Sequence, residues 1–356
     1  MLIKIANNTT PLCFMPDGRL VCYQHGDIVI LDDCQECGRF SLILSKIEGI
    51  LGRSKLLTRF LRLGIRAAEA VDEFSVVISH GDYLYEINLN TGELSKGFYC
   101  GERVRPLFFT SVSGIKGFND GLYFGGYVHN FKKAPVHIYY RKDIDDWEVV
   151  YSFPSGTINH VHNIIPDPYR NCIWVLTGDF EDSAAIWKAS NDFKKVERVA
   201  SGEQRWRGCV AFALPEGLLY ATDAPFEKNN IYLLRDDLTV SIIAELFGSC
   251  IYGCQWKDHY VFSTVVEPDG RNETLLRLLF GWKRGGGILD NSAHILLGNI
   301  SEGFREIFKE KKDAWPFLFQ FGAFRFPAGI NCSNILLFQP IATTENSMCL
   351  MGLKEV

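Results

Sequence analysis

Ile173-Trp174-Val175-Leu176-Thr177-Gly178-Asp179, then Ile186-Trp187, then Asp192-Phe193-Lys194-Lys195-Val196 is the stretch that decides the fold of this chain. An apolar run ends in a polar turn, a second apolar run follows, and an Asp-led turn opens a third. The same order recurs on both sides. Ile138-Tyr139 leads to Asp146-Trp147-Glu148-Val149, and Ile231-Tyr232 leads to Asp237-Leu238 and Val240. A weaker copy runs from Ile295-Leu296 through Gly303-Phe304 to Ile307. Alternating strands precede these copies at Leu122-Tyr123-Phe124, Leu219-Tyr220-Ala221 and Tyr260-Val261-Phe262, each behind another apolar run. A unit that repeats every 40 to 50 residues or so and holds four short strands is a propeller blade.

Shorter units nearer the N-terminus carry hairpins at His25-Gly26-Asp27 and His80-Gly81-Asp82, where Gly and Asp suit a tight turn. The spacing predicts an all-β, seven-bladed propeller over residues 1–356 as one domain, with six or eight blades as alternatives. Blades are expected to start near Pro11, Ala67, Arg105, Ile158, Arg207, Cys250 and Pro316. The last is assigned Phe317 to Phe326, Ile335 to Phe338 and Met348 to Leu353, with Leu2 to Ala6 supplying its fourth strand.

Composition agrees with many short strands: of 356 residues, 13% are aromatic and 32 are glycine. A net charge of -5 argues against nucleic acid as a partner, since a phosphate-tracking surface shows a basic excess. The sequence shows no spanning apolar stretch and no signal-peptide pattern at Met1 to Asn8, and its 11 cysteines sit scattered in apolar runs. These features point to reduced thiols and a cytoplasmic protein as encoded.

Two segments interrupt the repeat. Lys46 to Arg66 reads as a basic helix, with Leu56, Phe60 and Leu63 on one face and Lys55, Arg59, Arg62 and Arg66 on another. Its two readings are docking on an anionic membrane or protein surface, and packing on the ring with a solvated basic face. Glu267 to Asn291 is a long excursion expected over the channel mouth, carrying Trp282-Lys283-Arg284 and three glycines that lack the partners of a phosphate loop.

In a four-stranded blade, the approach to the innermost strand and the turn between the second and third strands lie at one end of the ring. The approaches supply Arg105, His160, His162, Arg207 and Tyr252; the turns supply His129, Asp179, Asp223, Glu267, Lys283 and Arg284. His160 and His162, two apart on a strand, leave the same face and could share a substrate or a divalent metal.

The run from His160-Val161-His162 through Asp167-Pro168-Tyr169, Ser190-Asn191-Asp192-Phe193, Trp206-Arg207 and Thr222-Asp223-Ala224-Pro225 to Asn230-Ile231-Tyr232 resembles sialidase-like proteins with bacterial neuraminidase repeats. Ser190-Asn191-Asp192 is similar to their Asp-box turn. The resemblance implies a carbohydrate-active propeller of the kind often labelled glycosyl hydrolase.

Three functions follow. In a polysaccharide lyase, similar in logic to propeller uronate lyases, Arg207 clamps the carboxylate of an anionic oligo- or polysaccharide, His160 or His162 is the base, and Tyr252 or the other histidine is the acid. His129, Arg105, Asp179, Asp223, Glu267, Lys283 and Arg284 are then substrate-binding. In a glycoside hydrolase, two of Asp179, Asp223 and Glu267 do the work. In a non-catalytic propeller, the same end binds a glycan or a protein. Histidines and a basic rim fit an anionic sugar best, which favours β-elimination.

Overall fold

The computed structural model describes residues 1–42, 44, 46–269, 274–281 and 283–354, the side chains of 46–48 aside. Its strands form seven four-stranded antiparallel sheets. These are the seven blades, and their innermost strands are Thr10–Phe14, Ala68–Ala70, Phe109–Val112, His160–Asp167, Gly208–Leu214, Cys250–Trp256 and Ala323–Arg325. Leu2–Ala6 pairs antiparallel with Leu350–Lys354, so the first strand of the chain is the outermost strand of the last blade. Gln339 of that blade also donates to the Thr9 carbonyl at 2.9 Å.

A lone sheet of this kind leaves both faces wet, and the ring solves this by stacking blades. Each seam between neighbours holds its own apolar cluster. Val161, Ile173 and Val175 of blade 4 pack on Tyr123, Ile138 and Phe153 of blade 3, while Trp174, Leu176 and Ile186 meet Leu218 and Tyr220 of blade 5. The closing seam joins Leu337 and Leu350 to Cys22, Val29 and Leu31. At about 1.5–3 kcal/mol for each large apolar side chain buried, these seams dominate the stability of the ring.

The repeat extends to polar detail. Thr177 and Thr222 each end a second strand, and each bonds to the start of the third: Thr177 Oγ1 to the Ala185 carbonyl at 3.3 Å, Thr222 Oγ1 to Asn229 Oδ1 at 3.0 Å. Thr264 holds the equivalent place, accepting from the His294 backbone N–H at 3.0 Å. Asp167 accepts from the backbone of Tyr169 and Arg170 and from Trp174 Nε1, which fixes the first hairpin of blade 4.

Three expectations are corrected. The start of the last blade is not one long strand: Phe317–Phe319 is a 3-10 turn and only Ala323–Arg325 is the inner strand. Lys46 to Arg66 is two short helices, α1 (Lys46–Leu51) and α2 (Lys55–Leu61), with Ser54 capping the second. The faces of α2 are not those of a simple amphipathic helix. Arg59 is buried, bonding Asp313 Oδ2 at 2.6 Å and the Phe319 carbonyl at 2.7 and 3.0 Å, whereas Leu56, Phe60 and Leu61 stay exposed. A guanidinium that spans a carboxylate and a carbonyl takes the inner face, and Phe60, half exposed, meets the ring through Phe319, 5.4 Å between ring centres.

The excursion from blade 6 holds α3 (Leu275–Phe280) and returns across blade 5. Gly285 and Gly287 run so close to the Pro225 and Glu227 carbonyls that a Cβ on either would sit 1.9 Å from oxygen. The glycines are there for backbone approach. Because the Asp223-Ala224-Pro225 turn lies at the same end as the approach to His160, the return of this segment does too; Trp282 falls outside the described residues. Among the described residues no helix is long and apolar enough to cross a membrane.

Candidate active site at the channel mouth

The inner strand of blade 4 begins with a β-bulge: Val161 faces Thr177 and Asn163 faces Leu176, which leaves His162 as the extra residue. The same irregularity recurs at Leu12, Cys209 and Ile251 in other blades. Bulges re-aim side chains, and this one brings two histidines together. Their Nε2 atoms are 3.0 Å apart, and both rings are almost fully buried. Gly178 makes room, since a Cβ there would lie 2.1 Å from the His162 ring.

Hydrogen bonding settles the tautomers. His160 Nδ1 lies 3.0 Å from the Val128 carbonyl, and His162 Nδ1 lies 2.9 Å from the Gly208 carbonyl. A carbonyl only accepts, so each Nδ1 carries the proton and each neutral ring presents a bare Nε2 lone pair. The two lone pairs point at one another. Asp179 Oδ1 joins them, 3.3 Å from His160 Nε2 and 3.5 Å from His162 Nε2. Three electron-rich atoms so arranged require a proton or a cation between them.

A divalent ion fits. Ligands about 2.0–2.2 Å from a metal, at tetrahedral or octahedral angles, stand about 3.0–3.5 Å from each other, which is the spacing here. The charge balance agrees: Arg207 Nη2 reaches Asp179 at 3.1 Å and its Nε reaches Asp223 at 3.2 Å, so one guanidinium faces two carboxylates. Asp223 Oδ1, buried, accepts no hydrogen bond from the described residues. Burial pushes the Asp179 carboxyl up, but a positive charge at His160, as when a shared proton sits there, together with the Arg207 guanidinium outweighs it and holds it well below the usual carboxylate range. His162, Cys209 and Asp223 form a second grouping, in which burial and Asp223 push the Cys209 thiol up.

The other sequence-derived residues divide. Glu267 lies near enough to Arg207 to support its charge together with Asp223 and Asp179 against the cost of burial. His129 follows Val128, whose carbonyl holds His160, and Arg105 pairs through its backbone with Tyr127, whose ring packs on His160. Burial and the charges of His160 and Arg105 push the His129 imidazole below its ordinary value. Tyr252 is elsewhere: it lines a cavity with Arg66 and Arg325, and the Arg325 guanidinium carbon lies 5.8 Å from its ring centre. Lys283 is exposed, and Arg284 Nη1 is buried with no bond to the described residues. Sequence reasoning missed Tyr127, whose ring packs 4.3 Å from that of His160, and it missed Arg62, Arg66 and Arg325 as channel residues. The approach rule that selected Arg105 and Arg207 also points to Arg66.

No family model matches the chain, and no curated protein matches it. Solved structures do share its fold. An oligogalacturonate lyase in complex with manganese aligns over 100% of this chain and 93% of its own, with a TM-score of 0.62 and 13% identity. The Myceliophteria thermophila Cps50 (Swd1) β-propeller domain aligns over 100% and 98%, with a TM-score of 0.56 and 9% identity. The AfRom2 CNH domain covers 100% of both chains, with a TM-score of 0.54 and 8% identity. At these identities the likeness establishes a seven-bladed β-propeller, an architecture compatible with carbohydrate-active enzymes.

Proposed function

We propose that the protein is a metal-assisted lyase that cleaves an acidic glycan by β-elimination. The observation that carries this is the meeting of two unprotonated histidine nitrogens and Asp179 at the channel mouth. His160, His162 and Asp179 would hold a divalent ion, with Asp223 behind Arg207 balancing charge. Such an ion supplies Lewis acidity toward a uronate carboxylate, which makes the adjacent carbon-bound proton more acidic. The chain's own groups do the rest.

With both histidines committed through Nε2, neither is free as a base, and Arg207 is already engaged by Asp179 and Asp223. The roles pass to the rim. Arg105 meets the carboxylate, and His129, held neutral near pH 7 by its lowered pKa, takes the proton on C5 of the uronate. The electron pair of that C–H bond forms the C4–C5 double bond, the C4–O bond breaks, and the leaving oxygen takes a proton from solvent water, since Tyr252 lies in a different cavity. The likeness of 13% to a manganese-bound lyase over the whole chain is consistent with this chemistry.

Hydrolysis of sialidase-like type is the second reading, because Asp179 and Asp223 meet across Arg207. It is weaker, since a carboxyl held low cannot serve as the protonated acid. The test is incubation with acidic polysaccharides and Mn²⁺, following the absorbance of unsaturated uronates beside reducing ends. Both signals should rise together. Reducing ends without unsaturated product would transfer the assignment to hydrolysis, and neither signal on any substrate would leave a binding propeller.

A further inference from the structure

A cavity of about 200 Å³ opens where α2 leans over blades 1, 6 and 7, lined by residues from the approaches to their inner strands. It has room for about six waters or one small organic anion. Arg62, Arg66 and Arg325 line it together with His25 and Tyr252, and among the described residues no carboxylate does. Arg105 stands close enough for its charge to be felt at Arg66, as are those of Arg62 and Arg325. Among the described residues none of the side chains of Arg62, Arg66 and Arg325 forms an ion pair, and the buried Arg325 Nε has no hydrogen-bond acceptor.

The arrangement is built. Arg62 ends α2 in the left-handed conformation, its backbone N–H bonded to the Thr58 carbonyl, and Arg59 one turn earlier clamps the helix to Asp313 and Phe319. Arg66 and Arg105 are the approaches to neighbouring blades, and Arg325 ends the inner strand of the last. Three guanidiniums without an ion-pair partner, crowded around one cavity, repel each other, an electrostatic conflict that a bound anion removes. The conflict registers at Arg66, where burial and the three neighbouring arginines push the guanidinium down to about 10.

We propose that Arg62, Arg66 and Arg325 form an oxyanion site at the channel mouth, distinct from the histidine centre, that takes the carboxylate of a second acidic sugar in the bound chain. The assignment to a sugar rests on the lyase reading; the affinity for an oxyanion does not. The planar forks match a carboxylate or a phosphate equally, so the source is decided by ligand. The basic insertion is then the wall of a ligand cavity.

The test uses the full chain, with trigalacturonate, neutral maltotriose and inorganic pyrophosphate as probes, read by calorimetry and thermal melting. Wild type should bind trigalacturonate and pyrophosphate but not maltotriose, with a rise in Tm. Arg66→Gln and Arg325→Gln should weaken both anions by about 10- to 100-fold, the loss of a charged hydrogen bond. Their Tm without ligand should equal or exceed that of wild type, because a repelling charge has gone, and this shows that they fold. Unchanged binding of both anions by the two variants overturns the site. Loss of trigalacturonate binding in Asp179→Asn alone also overturns it, while leaving the lyase reading intact. Arginine-dependent pyrophosphate binding with no trigalacturonate binding to any form keeps the oxyanion site and removes both the sugar and the uronate reading.

Discussion

His162 shows how much a single residue here depends on its neighbours: its ring occupies the space that Gly178 leaves, and its tautomer is set by the Gly208 carbonyl. Gly178→Ala should therefore displace the ring and lower Mn²⁺ affinity by about 10- to 100-fold, as calorimetry would show, together with a fall in melting temperature from overpacking. His129 behaves oppositely. His129→Ala should leave Mn²⁺ binding intact and cut turnover by about 10²- to 10⁴-fold, the contribution of a general base. Glu69 carries a different signature. Burial in the inner strand of blade 2 raises its pKa from 4.5 to about 8, with only the Ala70 backbone N–H opposing the shift. The folded state then holds a proton that the unfolded state has released between those values. Stability is full below pH 4.5, falls as pH rises through the window and levels off above about 8, by about 3 to 5 kcal/mol in all. Glu69→Gln should flatten that slope in urea titrations run from pH 5 to 8.

At the scale of elements, the hairpins were legible because apolar alternation and Asp-led turns mark them directly, as at Ser190-Asn191-Asp192, where Asn191 and Asp192 take positive φ. The insertions were not. Helical periodicity in Lys46 to Arg66 assigned Arg59 to solvent, because a sequence pattern cannot reveal that Asp313 and Phe319, some 250 positions away, offer a buried partner. Arg59→Ala leaves the Phe319 carbonyl without its donor, and about 1–3 kcal/mol of anchoring is lost. The expected outcome is faster proteolytic cleavage within residues 46–66 while the rest of the ring stays resistant. Cleavage at the wild-type rate would mean that α2 is held by other contacts.

Across the whole molecule, the repeat carried its message because every blade must bury the same two faces, which forces one pattern on seven segments. Closure was legible for the same reason: a last blade short of a strand calls for Leu2–Ala6. Removing residues 1–6 should lower Tm and broaden the transition by opening the seam beside Leu337 and Leu350. What the repeat could not give was chemistry. It gathered His160, His162, Asp179 and Arg207 at one end, but bulges, carbonyl partners and shared ion pairs decide which nitrogen is bare and which guanidinium is spent. Those details turn a cluster of polar residues into a candidate metal centre. The most direct test is Mn²⁺ binding by the full chain, followed by calorimetry and by electron paramagnetic resonance. The account predicts one ion per chain with imidazole ligation, lost in His160→Ala and in His162→Ala. Equal binding by wild type and both variants, or none by wild type, would contradict it.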